Sequence, residues 1–139
     1  MTRRYAEDTK VPVARSQEHV KADLRRVGAD HIALMEGSDQ HLVVFKVSEI
    51  LYRIASAPTT KAKNPEQETR RQWRAIALLV KAKTVSIIEG ISSVEREFLA
   101  DVVMPDGSTL ADHSTRLIKQ SYQEGGAPKM LMLGGPSSP

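Results

Sequence analysis

The sequence predicts an α+β fold in which a three-stranded antiparallel meander packs against one long helix. Three short apolar runs with turn residues between them lie within residues 31–55, which is typical of neighbouring strands. Residues 64–90 then place apolar side chains three and four residues apart, the spacing of a helix with one buried side. Similar spacing predicts a short helix before the strands and two more helices after residue 90.

The first predicted helix begins at Ser16 and carries Val20, Leu24 and Val27 on one side, with Gly28 as its stop. Lys21, Arg25 and Arg26 lie off that apolar line, and we interpret them as a solvated side. Residues 1–15 show no periodicity and are predicted to form an N-terminal arm.

The predicted strands are His31–Glu36, Leu42–Val47 and Ile50–Ala55. A Gly37-Ser38-Asp39 turn connects the first two strands. Only Ser48 and Glu49 separate the last two, a length that suits a tight hairpin, although such turns favour Asn-Gly or glycine.

The long helix has a clear start, because Asn64 can cap it, Pro65 suits its first position and Gln67 stands where a capping box needs it. Trp73 is the one tryptophan, and we interpret it as a core anchor, with stacking on a nucleic-acid base as the alternative. The predicted apolar stripe consists of Trp73, Ile76, Ala77, Val80, Thr84, Ile87 and Ile91. A second apolar side implies further cover by the later helices or by a second copy of the chain: Leu78, Leu79, Ala82 and Val85.

The third helix is predicted from a capping box at Ser92–Glu95, and the last helix begins near Thr109 with Leu110, Leu117 and Tyr122 facing inward. Residues 16–125 then form a single α+β domain, and residues 126–139 form a flexible C-terminal tail. The tail contains the apolar residues 130–133, which could dock on a partner or on the domain itself.

A chain of 139 residues can bury a sizeable core without a metal or a disulfide, and this one has no cysteine. Its start is polar, and no apolar run approaches the roughly 20 residues of a membrane span. We therefore expect a soluble protein without membrane contact, and the lack of cysteine is compatible with a reducing cytoplasm.

The net charge of +3 is distributed unevenly along the chain. Residues 61–83 contain seven basic and two acidic side chains, whereas residues 84–128 contain three basic and seven acidic ones. Such segregation suits a polyanionic partner or head-to-tail self-association. The two regions could also neutralise each other within one fold.

No catalytic or phosphate-binding motif stands out, so we expect a protein that is not an enzyme and needs no cofactor or metal. His31 and His41, with Asp39, could approach each other across the first hairpin and hold a metal ion. A second acidic group could in principle hold a divalent cation: Asp101, Asp106, Asp112 and His113. Ordinary surface, capping and turn roles explain these residues better.

The start of the long helix is the best candidate site, because cations gather there beside the free N–H groups of a helix N-terminus. The candidate nucleic-acid-binding residues are Lys61, Lys63, Arg70, Arg71, Arg74 and Lys81. In the alternative interpretation, Arg70 and Arg74 form ordinary ion pairs with Glu66 and Glu68 on the same helix.

The order helix, three strands, helix is similar to that of double-stranded RNA-binding domains. Those domains place a Gly-x-Ser-Lys-Lys motif at the second helix start, whereas residues 60–65 here are Thr-Lys-Ala-Lys-Asn-Pro. The meander and long helix also resemble single-strand annealing proteins of phage recombination systems. Neither similarity establishes a function.

A closer resemblance lies in residues 71–83 (RQWRAIALLVKAK) and 97–109 (EFLADVVMPDGST), with the opening VPVARS at residues 11–16. These segments resemble small phage and prophage proteins, and the similarity covers most of the chain. The resemblance implies a phage-encoded protein that acts in the host cytoplasm in DNA recombination or replication. It supplies no active-site residues.

The alternative function is that of an accessory protein or inhibitor that binds a host protein. A homo-oligomer is compatible with both functions.

Overall fold

The computed structural model describes residues 5–56 and 63–128 of the chain. Its helices are α1 (Val13–Arg26), α2 (Pro65–Ile88), α3 (Val94–Glu97) and α4 (Leu110–Gly125). Its strands are β1 (His31–Glu36), β2 (His41–Val47) and β3 (Ile50–Ser56), and a 3-10 turn spans Leu99–Asp101. The predicted α+β class, with a three-stranded antiparallel meander under one long helix, is confirmed. The predicted apolar cluster at residues 130–133 lies outside the described residues.

Helix α1 begins at Val13, three residues before the predicted start at Ser16. Pro12 precedes the helix with φ −62°, and its carbonyl oxygen accepts from the Arg15 and Ser16 amides at 3.1 and 3.2 Å. Proline is pre-set for a helix start, whereas Ser16 lies buried inside the helix and does not cap it. At the other end Gly28 takes φ +103°, and the Ala29 amide returns to the Leu24 carbonyl at 3.0 Å.

The sheet has the order β1-β2-β3, and both pairs are antiparallel. The strand predictions are confirmed to within one residue, and Val47 pairs with Ile50 across a two-residue hairpin. Ser48 and Glu49 both take the left-handed conformation there, with φ of 48° and 71°. The tight hairpin therefore forms with two residues that are poorly suited to it.

One face of the sheet supports the core, because alternate residues of β2 and β3 are buried there: Val43, Phe45, Val47, Tyr52 and Ile54. Helices α1 and α2 cover this face with Val20, Leu24 and Val80. Trp73 is fully buried, which confirms it as a core anchor. Phe98, from the residue after α3, meets the Phe45 ring edge-on at 5.1 Å.

Helix α2 begins as predicted, since the Asn64 side chain accepts from the Gln67 amide at 3.1 Å and Pro65 is the first helical residue. The apolar stripe is buried from Trp73 to Thr84 and half-buried at Ile87. Ile91 was predicted to belong to the stripe and does not, because the helix ends at Ile88 and Ile91 is 79% exposed.

Two predictions about packing are wrong. The later helices do not cover the second apolar side of α2, since Leu78, Leu79 and Val85 all remain exposed in the described part of the chain. Leu117 and Tyr122 of α4 were predicted to face inward, yet both are exposed, and Leu110 is only half-buried. Helix α4 packs chiefly on the 3-10 turn, so its apolar side does not reach the core.

Val102 and Val103, which precede α4, place the first turn of that helix beside the edge of β3. The Val103 amide donates to the Leu51 carbonyl at 2.8 Å, and the Leu110 amide donates to the Val102 carbonyl at 2.8 Å. Thr109 caps α4 by accepting from the Asp112 amide at 3.3 Å. None of the helices within residues 5–56 and 63–128 has the length and apolar character needed to cross a membrane.

Candidate nucleic-acid interface

The first turns of α2 hold the preceding arm in place through the side chain of Gln67. Its Nε2 donates to the carbonyl oxygens of Glu7 and Thr9 at 3.1 and 2.7 Å. This role replaces the reciprocal contact of the predicted capping box. Its Oε1 accepts from Arg70 Nε and from a terminal nitrogen of that guanidinium at 3.0 and 2.7 Å. Gln67 thus fixes the orientation of Arg70 without neutralising its charge.

Arg70 faces an open groove of about 560 Å³ between the starts of α1 and α2. Lys10 and Arg70 supply its positive charges, and Glu36 and Glu66 supply its negative ones. Pro12 and Val13 also line the groove. The charges on its wall balance, so the excess positive charge lies farther along α2.

Arg71 is turned away from this surface and is not available to a ligand. Its guanidinium donates twice to the Glu68 carboxylate, at 2.8 and 3.0 Å, and its side chain is only 14% exposed. The hydrogen bond to Glu68 raises the pKa of Arg71, against the lowering effect of burial. Glu68 also accepts from Gln72, which accepts from the Ser56 hydroxyl, so Arg71 belongs to a network that joins α2 to β3.

Arg70, Arg74 and Lys81 follow one line along α2, because spacings of four and seven residues return to the same side of a helix. We call these three residues the basic ridge, and Lys63 lies in the chain just before the Asn64 cap. Within residues 5–56 and 63–128, Lys63, Arg70 and Arg74 form no ion pair. The structure therefore does not show the ion pairs of Arg70 and Arg74 with Glu66 and Glu68 that the alternative interpretation predicts.

Lys81 meets a carboxylate from α1 that the sequence analysis did not identify. Its Nζ lies 3.5 Å from Asp23 Oδ1, and its side chain remains 52% exposed. Arg26 approaches the same oxygen at 3.7 Å, so one buried carboxylate serves two cations and leaves a net positive charge. The available signal was a lone acidic residue between Val20 and Leu24 on the buried side of α1.

The structure thus places three of the six predicted site residues on one side of α2, namely Arg70, Arg74 and Lys81. Lys63 lies before the Asn64 cap, and Arg71 pairs with Glu68. Lys61 lies outside the described residues. Arg26 is 57% exposed, in line with the predicted solvated side of α1, and it also borders this surface. The resulting surface carries cations from both helices, and Asp23, Glu36 and Glu66 are carboxylates beside it.

The alternative metal groups do not assemble. In the β1–β2 register His31 lies opposite Lys46 and His41 opposite Glu36, so the two histidines stand at opposite ends of the strand pair. His41 is buried against Trp73, whereas His31 is exposed beside Asp30. No group of three metal-binding side chains occurs among the described residues.

Asp101 and Asp106 differ in their surroundings. Burial raises the pKa of the Asp101 carboxyl, whereas two hydrogen bonds from Ser108 lower the pKa of Asp106. Turn formation therefore accounts for Asp106, as its position in the sequence suggested.

Comparisons of the chain with protein-family models, with curated proteins and with solved structures give no match.

Proposed function

We propose that this protein is a phage-encoded, non-enzymatic accessory protein that binds nucleic acid through the basic ridge of α2. The observation that carries the proposal is the line of Arg70, Arg74 and Lys81 on one side of α2, with Arg26 from α1 beside it. The resemblance to phage proteins supports a role in DNA recombination or replication in the host cytoplasm. Cations on a rigid helix can contact phosphates, and such contacts confer affinity without reading base sequence.

The ridge is suited to phosphate contact because its guanidinium groups retain unused donors. Arg70 commits two of its nitrogens to Gln67, which is neutral, so its full charge and remaining N–H groups stay available. Arg74 makes no ion pair within the described residues, and Lys81 is half-exposed. Each phosphate contact releases counterions, so binding should weaken steeply as salt concentration rises.

The test is fluorescence anisotropy with single- and double-stranded DNA and RNA at two salt concentrations. Replacing Arg70 and Arg74 together by glutamine removes two phosphate contacts. The slope of log affinity against log salt is negative, and it should then become shallower by about two for duplex DNA, because each replaced cation removes about one phosphate contact. Arg116→Gln on the exposed polar side of α4 is the matched control and should leave the slope unchanged. Equal slopes for wild type and the double variant would refute the proposal.

A second candidate function is favoured by the exposed apolar side of α2. Leu78, Leu79 and Val85 remain uncovered in the described chain, and apolar rows of this kind often mark protein-binding sites. The protein would then act as an accessory or inhibitor of a host protein. Binding of a purified host protein that is lost in Leu78→Glu and retained after the arginine replacements would favour this function over the first.

A further inference from the structure

The cations of the basic ridge have an exposed apolar line beside them on α2. At about 100° per residue, Arg70, Arg74 and Lys81 fall within about 40° of one another around the helix. Val85 and Leu78 lie within about 40° of Arg74, on one side of that line, and they are 43% and 45% exposed. One exposed side of α2 therefore carries a cationic line and, directly beside it, an apolar line.

The body of the fold lies on the other side of the cationic line. Ala77 and Thr84 are buried there. Asp23 of α1 contacts Lys81 at 3.5 Å, and Arg26 approaches the same carboxylate at 3.7 Å. Positive charge thus continues from the ridge towards α1, whereas the surface becomes apolar in the opposite direction.

A nucleotide of an unpaired strand has the same two parts side by side. Its phosphate carries the charge, and the face of its base is free for apolar contact. With the phosphates along the cationic line, bases of the same strand can lie on Leu78 and Val85 and remove apolar surface from water. In a duplex the neighbouring base pairs cover those faces, so only base edges and the backbone are offered. The apolar line therefore favours an unpaired strand.

A duplex would use this side of α2 poorly. A helix in the major groove has a phosphate backbone on both flanks, because the groove is about 12 Å wide and a helix is about 10–12 Å across. On α2 the far flank of the apolar line carries Ala75, Ala82 and Leu79, and Arg71 on that flank is held by the Glu68 carboxylate. Cations are thus available along one edge only, which fits a single backbone.

We propose that this protein binds single-stranded nucleic acid in preference to duplex, with phosphates on the basic ridge and bases on Leu78 and Val85. The inference rests on the proposed nucleic-acid function and adds to it the form of the nucleic acid. Because contacts with bases release few counterions, they should change the affinity without changing its dependence on salt. The two kinds of contact can therefore be measured separately.

The test is fluorescence anisotropy with three ligands of about 12 nucleotides: a single strand, the matching duplex, and an abasic strand that keeps the backbone without the bases. The wild type should bind the single strand at least about threefold more tightly than either of the others. Leu78→Ala should weaken binding of the single strand about fivefold, because it removes apolar contact with bases. The same variant should change the affinities for duplex and abasic strand less than about 1.5-fold.

Leu117→Ala on α4 is the matched control, because Leu117 is 52% exposed and lies outside the ridge. It should leave all three affinities unchanged. In a salt titration with the single strand, Leu78→Ala should keep the wild-type slope, since no phosphate contact is lost. Trp73 emission and far-UV circular dichroism verify that each variant folds.

Two results would overturn the inference. One is a wild type that binds the duplex as tightly as the single strand. The other is a Leu78→Ala variant that loses no affinity for the single strand, or loses as much for the abasic strand. Leu78 and Val85 would then be left to the protein-binding alternative. Failure of the proposed function itself has a different signature, because the replacements of Arg70 and Arg74 would then leave the salt dependence unchanged.

Discussion

His41 is the buried residue whose surroundings fit it least well. Its ring packs against Trp73 at a centroid distance of 5.4 Å, and neither ring nitrogen has a hydrogen-bond partner among the described residues. Burial lowers the pKa of His41, and the nearby carboxylates of Glu36 and Glu68 oppose the shift. The neutral imidazole is therefore the form that the core accepts.

Acid should destabilise the protein through this residue. The pKa of His41 is lower in the folded chain than its ordinary value of about 6.5 in the unfolded chain, so the unfolded state takes up the proton first. The free energy of unfolding should thus decrease as the pH falls below about 6.5 and level off below the folded pKa. Urea titrations at pH 7.5 and 5 measure the decrease.

His41→Phe should remove most of this decrease, because it keeps an aromatic ring beside Trp73 and cannot be protonated. His19→Gln replaces an exposed histidine and should retain the decrease. An unchanged pH dependence in the His41 variant would show that other groups control acid stability.

The two hairpin residues Ser48 and Glu49 hold a conformation that favours glycine or asparagine. Left-handed backbone costs a residue with a side chain about 1 kcal/mol, and both residues adopt it here. The double replacement Ser48→Asn with Glu49→Gly should raise the free energy of unfolding by about 1 kcal/mol, because it supplies the Asn-Gly pair that such a turn prefers. The Lys46 contact to Glu49 is long, at 4.0 Å, and Glu49 is 89% exposed, so the loss of this contact should cost little. A urea midpoint below that of the wild type would contradict this expectation.

At the scale of the element, two neighbouring arginines of α2 have opposite roles. Arg70 points to the open groove and is held by a neutral amide, whereas Arg71 lies in the ion pair with Glu68. One residue along a helix turns the side chain by about 100°, which is enough to move a cation from a ligand-accessible side to an internal network.

Arg71→Gln should therefore cost about 2 kcal/mol of stability, because it leaves the buried Glu68 carboxylate without its guanidinium. Its effect on nucleic-acid affinity should be small once the protein is folded. Arg70→Gln should show the reverse pattern, with a stability change below about 0.5 kcal/mol and weaker binding. Urea unfolding and anisotropy on both variants measure these effects, and equal stability losses would refute the distinction.

At the scale of the whole molecule, burial is concentrated in one part of the fold. Helices α1 and α2 share a core with the sheet, and Phe98 closes one end of it. Helix α4 contributes no buried residue to that core. The described part of the molecule thus combines a well-packed body with a helix that adds no buried residue to it.

Hydrogen exchange should report this division directly. In dilute protein the amides of α4 should exchange with opening free energies well below those of the centre of α2, since few buried contacts hold α4 in place. Protection of α4 equal to that of α2 in a monomeric sample would contradict the picture of an exposed helix.

The elements of this fold could be predicted because their signals are local. The Asn64-Pro65 start of α2, the alternation in β2 and the spacing of Trp73, Ile76 and Val80 each depend on backbone geometry within a few residues. The start of α1 was misplaced because both Pro12 and Ser16 carry start signals, and only packing decided that Ser16 belongs inside.

The candidate site was predicted in outline only. Spacing along α2 correctly placed Arg70, Arg74 and Lys81 on one line. Spacing along α2 allows an ion pair of Arg71 with Glu68, three residues before it, but it does not show that packing buries this pair. The contact between Lys81 and Asp23 could not be predicted in this way, because Asp23 comes from α1 and periodicity within α2 carries no information about it.

The sequence by itself determined the class of fold, the meander, the buried stripe of α2 and the gathering of positive charge on it. Only the tertiary structure decided which of those cations remain unpaired among the described residues, and that the apolar sides of α2 and α4 stay uncovered there. The physical reason is that local periodicity reports which residues would gain from burial, whereas the packing of all elements decides which of them are buried.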